Sequence, residues 1–86
     1  MTYTVTAETS AERDLKRLPR DLLRRVDAEL LALSRNPRPH GVVKLQGREG
    51  EGWRIRVGVY RMLYTIDDDA RIVSVYRIRP RARVYR

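Results

Sequence analysis

The sequence predicts an α+β fold in which a helical hairpin packs on one face of a small, mostly antiparallel sheet. Three observations predict it: a short alternating segment near the N-terminus, two consecutive segments with helical spacing of apolar residues, and three alternating segments in the second half. Their order is β-α-α-β-β-β, and elements segregated in this way form an α+β domain. We expect residues 1–86 to form a single domain, because a chain this short carries one small core.

The first two elements are a strand and a short helix. Tyr3–Ala7 alternates β-branched and aromatic residues, which is typical of a strand. Thr9 and Glu12 have the spacing of a capping box, so we expect the helix to begin there, and Pro19 ends it. Its predicted apolar face consists of Ala11, Leu15 and Leu18.

A second helix is predicted to follow at once, because proline suits the first helical turn. It ends before Asn36–Gly41, which is rich in proline and glycine. Three- and four-residue spacing defines an apolar face of Leu22, Leu23, Val26, Leu30 and Leu33. The predicted solvent side carries Arg20, Arg24, Asp27 and Arg35. The two helices and their tight link form the hairpin.

The second half of the chain is predicted to form the rest of the sheet. Its segments are a brief extended piece at Val42–Gln46, a flexible loop at Gly47–Gly52, strands at Trp53–Val57, Tyr60–Ile66 and Arg71–Ile78, and turns at Gly58–Val59 and Asp67–Asp69. Alternation is clean in the first of these strands and imperfect in the other two. The pattern therefore leaves open which face their residues occupy.

Charge points to a polyanionic partner. The net charge is +8, from 19 basic and 11 acidic residues, and almost all of the basic residues are arginine. Eleven basic and five acidic residues follow residue 40, against eight and six before it, so the excess lies in the second half. A nucleic acid or an acidic protein segment fits this distribution, although a GC-rich genome would also enrich arginine.

Composition excludes several kinds of site. With no cysteine and one histidine, neither a disulfide, a thiolate site nor a histidine-based zinc site is expected, and we predict no metal or cofactor. Asp67–Asp69 is more typical of a solvated turn, and His40 of an incidental loop residue. Trp53 and Tyr64 are interpreted as packing residues. The N-terminus lacks the layout of a signal peptide and no apolar run is long enough to span a bilayer, so we expect a cytoplasmic protein without membrane contact.

Arginines on consecutive strands are the candidate functional residues. Arg54 and Arg56 share one face of a strand, and Arg61 opens the next strand. The last strand and the segment after it carry Arg77, Arg79, Arg81 and Arg83, followed by Tyr85. If the strands are neighbours, the guanidinium groups converge, and their planar donors suit phosphate and a negatively charged transition state. A solvated sheet face explains the pattern equally well.

Five segments resemble a known family. Trp53–Asp68 is similar to the RelE signature, a basic alternating strand, a glycine turn and then Tyr-Arg-x-x-Tyr. Arg13–Pro19 resembles the first helix of that family, while Asn36–Pro37 and Lys44–Gly47 resemble its link into the sheet. Arg79–Tyr85 resembles its C-terminal ending. This resemblance to the RelE/ParE superfamily of type II toxin–antitoxin toxins spans essentially the whole chain and implies a RelE-like microbial RNase fold.

The resemblance implies a metal-independent mRNA interferase, which enters the ribosomal A site and cleaves mRNA by attack of the ribose 2′-hydroxyl on the adjacent phosphate. By position, Arg54 and Arg56 would orient and activate the 2′-hydroxyl, and Arg61 would stabilise the transition-state phosphate. Arg79 would protonate the leaving group or clamp the phosphate, and Tyr85 would stack on a base. The remaining RNA contacts would come from Arg77, Arg81, Arg83 and Lys44.

Two departures from the family pattern bear on the mechanism. Well-known members have lysines at the positions of Arg54 and Arg56, and arginine stays protonated, so the general base is unidentified. Pro80 stands where a histidine or lysine is usual.

Two other functions are open. The same superfamily includes ParE-like inhibitors of DNA gyrase without nuclease activity, and the chain could also be a degenerate, non-toxic member. All of them imply a cognate RelB-like antitoxin, which is expected to be acidic.

Overall fold

The computed structural model describes residues 2–80, apart from the side chain of Glu49. The elements are β1 (Thr4–Ala7), α1 (Thr9–Lys16), α2 (Arg20–Arg35), β2 (Val43–Lys44), a 3₁₀ turn (Gly47–Glu49), β3 (Trp53–Val57), β4 (Tyr60–Asp67) and β5 (Ile72–Pro80). Two helices between the first strand and four later strands confirm the predicted α+β class. The brief extended piece is a true strand, although it has only two residues.

One five-stranded sheet carries all the strands, in the order β1-β5-β4-β3-β2. β1 runs parallel to β5, and every other neighbouring pair is antiparallel. The chain enters at one edge, crosses over through the two helices and builds the rest of the sheet back toward β1. The order therefore places β3, β4 and β5, which carry most of the candidate arginines, side by side.

The core lies between the helices and one face of the sheet. Leu22, Val26 and Leu33 of α2 are buried, as the spacing predicts, and Ala11 of α1 joins them. The sheet contributes buried side chains from its three central strands, Ile55, Val57, Met62, Tyr64, Val73, Val75 and Ile78. Within residues 2–80 no helix has the length and apolar character needed to cross a bilayer.

Tyr64 is fully buried, in line with the packing role predicted for it. Its hydroxyl donates a 2.8 Å hydrogen bond to the Pro37 carbonyl in the link after α2. Burial raises the pKa of this tyrosine to about 12, so the hydroxyl remains a donor at any physiological pH. One side chain thereby joins the centre of the sheet to the end of the hairpin.

The predicted capping box is wrong. The N-cap of α1 is Glu8, it makes no side-chain capping bond, and Thr9 is already the first helical residue. The backbone N–H of Glu8 donates instead to the Val75 carbonyl at 2.8 Å, so pairing with β5 extends to this residue. Strand pairing, rather than a local capping motif, sets where the helix begins.

Imperfect alternation in the last strand has a structural cause. Leu63 pairs with Arg77 but Tyr64 pairs with Val75, so an extra residue, Tyr76, is inserted opposite this point. Such a bulge interrupts the two-residue period of side-chain faces. Arg71, expected as the first residue of the last strand, lies instead in the preceding turn with a positive φ of 58°.

The loop predicted as flexible packs against the sheet surface opposite the helices. It contains the 3₁₀ turn, and the Tyr76 hydroxyl donates to the Glu51 carbonyl at 2.7 Å and accepts from the Glu51 N–H at 3.2 Å. Leu45 and Leu63 are buried although they are outside the main core. The hydrogen bonds between Tyr76 and Glu51 hold the loop against β5.

Candidate functional site

Five arginines share the sheet surface opposite the helices, which we call the arginine face: Arg54, Arg56, Arg61, Arg77 and Arg79. Cross-strand register places them in two rows. Arg56 of β3 lies opposite Arg61 of β4, which in turn lies opposite Arg79 of β5. Arg54 and Arg77 flank the buried Leu63 in the next row. Directly opposed residues point to the same face, so the three strands bring these predicted site residues together.

Like charges that face each other across neighbouring strands oppose folding. The Cβ atoms of directly opposed residues lie about 4.5–5.5 Å apart, and like charges at this spacing repel. Among the side chains that the structure describes, no carboxylate pairs with Arg54, Arg61 or Arg79. An anion bound across the row would relieve the repulsion, whereas a merely solvated face has no need to align arginines across three strands.

Two donors on this face are buried without a partner. The Nε atoms of Arg54 and Arg61 are screened from solvent and have no hydrogen-bond partner within the described part of the protein. An unsatisfied buried donor carries a desolvation penalty, and such groups in a folded protein usually have a functional explanation. A phosphate oxygen would satisfy them, because guanidinium donors match phosphate geometry.

Arg77 differs from its neighbours because the protein itself supplies its partner. Its Nε donates a 3.0 Å hydrogen bond to Oδ2 of Asp14, the buried acidic residue on α1. The sequence did contain a signal that Asp14 needs a partner, although not that the partner is Arg77. Asp14 lies between Ala11 and Leu15 on the apolar face of α1, where a carboxylate needs a buried partner.

Lys44 is not part of the arginine face. It lies opposite Trp53 on β3, so its side chain shares the face of the helices. Its Nζ is 5.8 Å from the centroid of the Trp53 ring, while the Arg38 guanidinium is 5.3 Å from the same centroid. Trp53 is half-buried and packs against the core, as predicted for it.

The other predicted site residues lie outside the described residues. They are Arg81, Arg83 and Tyr85.

The Asp67–Asp69 turn takes part in a polar network away from the arginine face. Asp67 Oδ1 accepts the Ala70 N–H at 3.0 Å, as expected for aspartate in a turn. Asp68 accepts a bidentate pair of hydrogen bonds from Arg38, at 2.8 and 3.2 Å, and a 2.6 Å bond from the Tyr3 hydroxyl. These hydrogen bonds, with that from Arg38 the strongest, lower the pKa of Asp68 to about 2. The network ties the residue before β1 and the link after α2 to the β4–β5 turn.

We expect Asp68→Asn to change how stability depends on acidity. A carboxyl whose pKa is about 2 in the folded protein and 3.8 ordinarily stabilises the fold above pH 4, and this contribution disappears as the pH falls toward 2. Wild-type and Asp68→Asn proteins should therefore differ in urea unfolding at pH 7, and the difference should shrink as the pH falls from 4 through 2. The difference is small because the pair is exposed and screened. A difference that is as large at pH 2 as at pH 7 would contradict this account.

Comparisons with known proteins agree with the fold. The family model described as "ParE toxin of type II toxin-antitoxin system, parDE" matches residues 5–85. Toxin RelG of Mycobacterium tuberculosis is 43% identical over 88 residues, which covers all of this chain and 99% of that protein.

Two solved structures are also similar to this chain. The archaeal RelE–RelB complex from Pyrococcus horikoshii OT3 contains a chain that is 28% identical, with a TM-score of 0.85 over 98% of this chain and all of that one. The RelBE2 complex of M. tuberculosis contains one that is 35% identical, with a TM-score of 0.82 over 94% of this chain and all of that one. The protein therefore belongs to the RelE/ParE superfamily, as a toxin of the type II toxin–antitoxin class.

Proposed function

We propose that the protein is a ribosome-dependent endoribonuclease that cleaves mRNA in the A site and so inhibits translation in the cytoplasm. The observation that carries this proposal is the row formed by Arg56, Arg61 and Arg79 across three neighbouring strands, beside the buried, unpartnered Nε atoms of Arg54 and Arg61. Such an array suits a phosphodiester, whose charge increases during cleavage.

The proposed reaction requires no metal. The ribose 2′-oxygen forms a bond to the adjacent phosphorus and loses its proton, while the bond from phosphorus to the 5′-oxygen breaks and that oxygen takes up a proton. The products are a 2′,3′-cyclic phosphate and a 5′-hydroxyl. Arg61, at the centre of the row, would stabilise the charged phosphorane. Arg54 and Arg56 would hold the nucleotide electrostatically and not as bases, because arginine stays protonated. Arg79 would contact the phosphate or the leaving oxygen.

The proposed partners follow from the charge. A net charge of +8 suits the ribosome and mRNA, and it also suits an acidic, RelB-like antitoxin that would associate rapidly and in a salt-dependent manner. Solved complexes of RelE with RelB and of RelBE2 support an antitoxin as the regulatory partner.

A second candidate is inhibition of DNA gyrase, which is favoured by the match to the ParE family model. Fold does not separate the two functions, because one scaffold supports different sites. The arginine row favours the nuclease, since inhibition by binding needs no array that stabilises a reacting phosphate.

Two assays run on the same preparation separate the candidates. The protein is added to ribosomes programmed with mRNA in the A site and to free mRNA, and the 5′ ends are mapped by primer extension. In parallel it is added to a gyrase supercoiling reaction. We expect cuts only with the ribosome and no effect on supercoiling. Intact mRNA with inhibited supercoiling would indicate a ParE-like toxin, and intact mRNA without inhibition a degenerate member.

A further inference from the structure

Helix α1 replaces a strand at one edge of the sheet. β1 pairs with β5 from Ile72 to Val75, and the Glu8 N–H donates to the Val75 carbonyl, after which the chain turns into α1. Beyond this point no strand within residues 2–80 pairs with the outer backbone groups of β5. Side chains of α1 satisfy them: Ser10 Oγ donates to the Tyr76 carbonyl at 2.7 Å, and Asp14 Oδ2 accepts the Ile78 N–H at 2.8 Å.

Asp14 differs from Ser10 because it also contacts an arginine. The same Oδ2 atom accepts the 3.0 Å hydrogen bond from Arg77 Nε, and the Asp14 side chain is only 8% exposed. A buried carboxylate strongly favours a cationic partner over none. The contact uses one of the five guanidinium N–H donors of Arg77, so it restricts the side chain without using up its ability to bind an anion.

We infer that Asp14 is a positioning residue, whose buried carboxylate holds Arg77 on the arginine face in the orientation that contacts the mRNA backbone. The inference rests on the proposed function. It adds Asp14 of α1, a residue that acts through Arg77 and not by contact with substrate. Arg77 is two residues from Arg79 and lies in the same array as Arg54, so a fixed Arg77 extends the phosphate-binding surface along β5. Preorganisation of this kind raises the rate because no side chain must be ordered during the reaction.

The test measures single-turnover cleavage of ribosome-bound mRNA as a function of toxin concentration. The variants are Asp14→Asn, Arg77→Gln, the double variant and Ser10→Ala, and thermal unfolding is recorded for each. We expect Asp14→Asn and Arg77→Gln each to lower the maximal rate about tenfold or more. In the double variant the rate should fall no further, because both changes remove the same interaction. Ser10→Ala loses a tie between α1 and β5 without touching an arginine, and should cleave at the wild-type rate.

Three results would overturn the inference while leaving the nuclease intact: wild-type rates for Arg77→Gln, a full additional loss from Asp14→Asn in the Arg77→Gln background, or a defect in Ser10→Ala as large as that in Asp14→Asn. If Asp14→Asn fails to fold, Arg77→Gln still decides, because Arg77 is partly exposed and its rate must fall if the inference holds. Absence of cleavage by the wild-type protein would instead overturn the proposed function, and the inference with it.

Discussion

Replacing Arg61 by alanine is expected to lower the rate of ribosome-dependent mRNA cleavage by about 10²–10³-fold, the usual effect of removing one preorganised donor from a developing negative charge. Arg61 occupies the middle of the row, directly opposite both Arg56 and Arg79. Its buried Nε has no partner in the described part of the protein, so substrate is the expected partner. Single-turnover cleavage on programmed ribosomes measures the effect.

The loss should not come from unfolding. Removal of Arg61 relieves repulsion with its two arginine neighbours, which offsets the packing lost with its aliphatic stem. We therefore expect the free energy of unfolding of Arg61→Ala to lie within about 1 kcal/mol of the wild-type value. Urea unfolding of the two proteins provides this comparison.

Two further variants separate position from charge. Arg24→Ala removes the same charge from the exposed side of α2 and should cleave at nearly the wild-type rate. Arg61→Lys keeps the charge but loses the planar donors, and its rate should remain well below that of the wild type. Equal losses in Arg24→Ala and Arg61→Ala would mean that only overall charge matters, and would refute the assignment of Arg61 to the site.

Gly52→Ala is expected to destabilise the fold by about 3 kcal/mol or more, from backbone strain combined with overpacking. Gly52 has a φ of +86°, which L side chains rarely adopt, and a Cβ there would lie 2.2 Å from the carbonyl oxygen of Tyr64. That oxygen belongs to the backbone of a central strand and cannot move aside as a side chain would. Moreover, the Gly52 carbonyl accepts the Leu45 N–H at 2.8 Å, so displacement of the loop also breaks this bond.

Gly41→Ala is the matched control. Gly41 has a similar φ of +92°, but a Cβ there would meet no atom within 4 Å. It should therefore show the conformational penalty alone, about 1 kcal/mol. Thermal unfolding provides the readout, since 1 kcal/mol corresponds to roughly 4–8 °C for a domain of this size. If both variants lose the same stability, the close approach of Gly52 to Tyr64 is not the cause.

Local patterns were sufficient for most of the elements and for the face that Arg54 and Arg56 share. Helical spacing correctly assigned Leu22, Val26 and Leu33 to the core, and alternation in β3 correctly separated Arg54 and Arg56 from Ile55 and Val57. These properties depend on residues close together in the chain, where the periods of helix and strand act directly. The turn at Gly58–Val59 is of the same kind: Gly58 has the positive φ that a two-residue hairpin requires at its first position.

Interactions between distant residues required the folded chain. Asp14 and Arg77 are 63 positions apart, and neither has a local feature that selects the other. The start of α1 at Thr9 depends on pairing with Val75, and the bulge at Leu63 and Tyr64 depends on the register of two strands. Lys44 shares a face with Trp53, away from the arginines, because of its register in a two-residue strand. Composition and periodicity thus establish which residues form each element and where charge collects. Packing of the elements then establishes which charges meet a partner inside the protein, because burial and pairing are set by contacts across the fold.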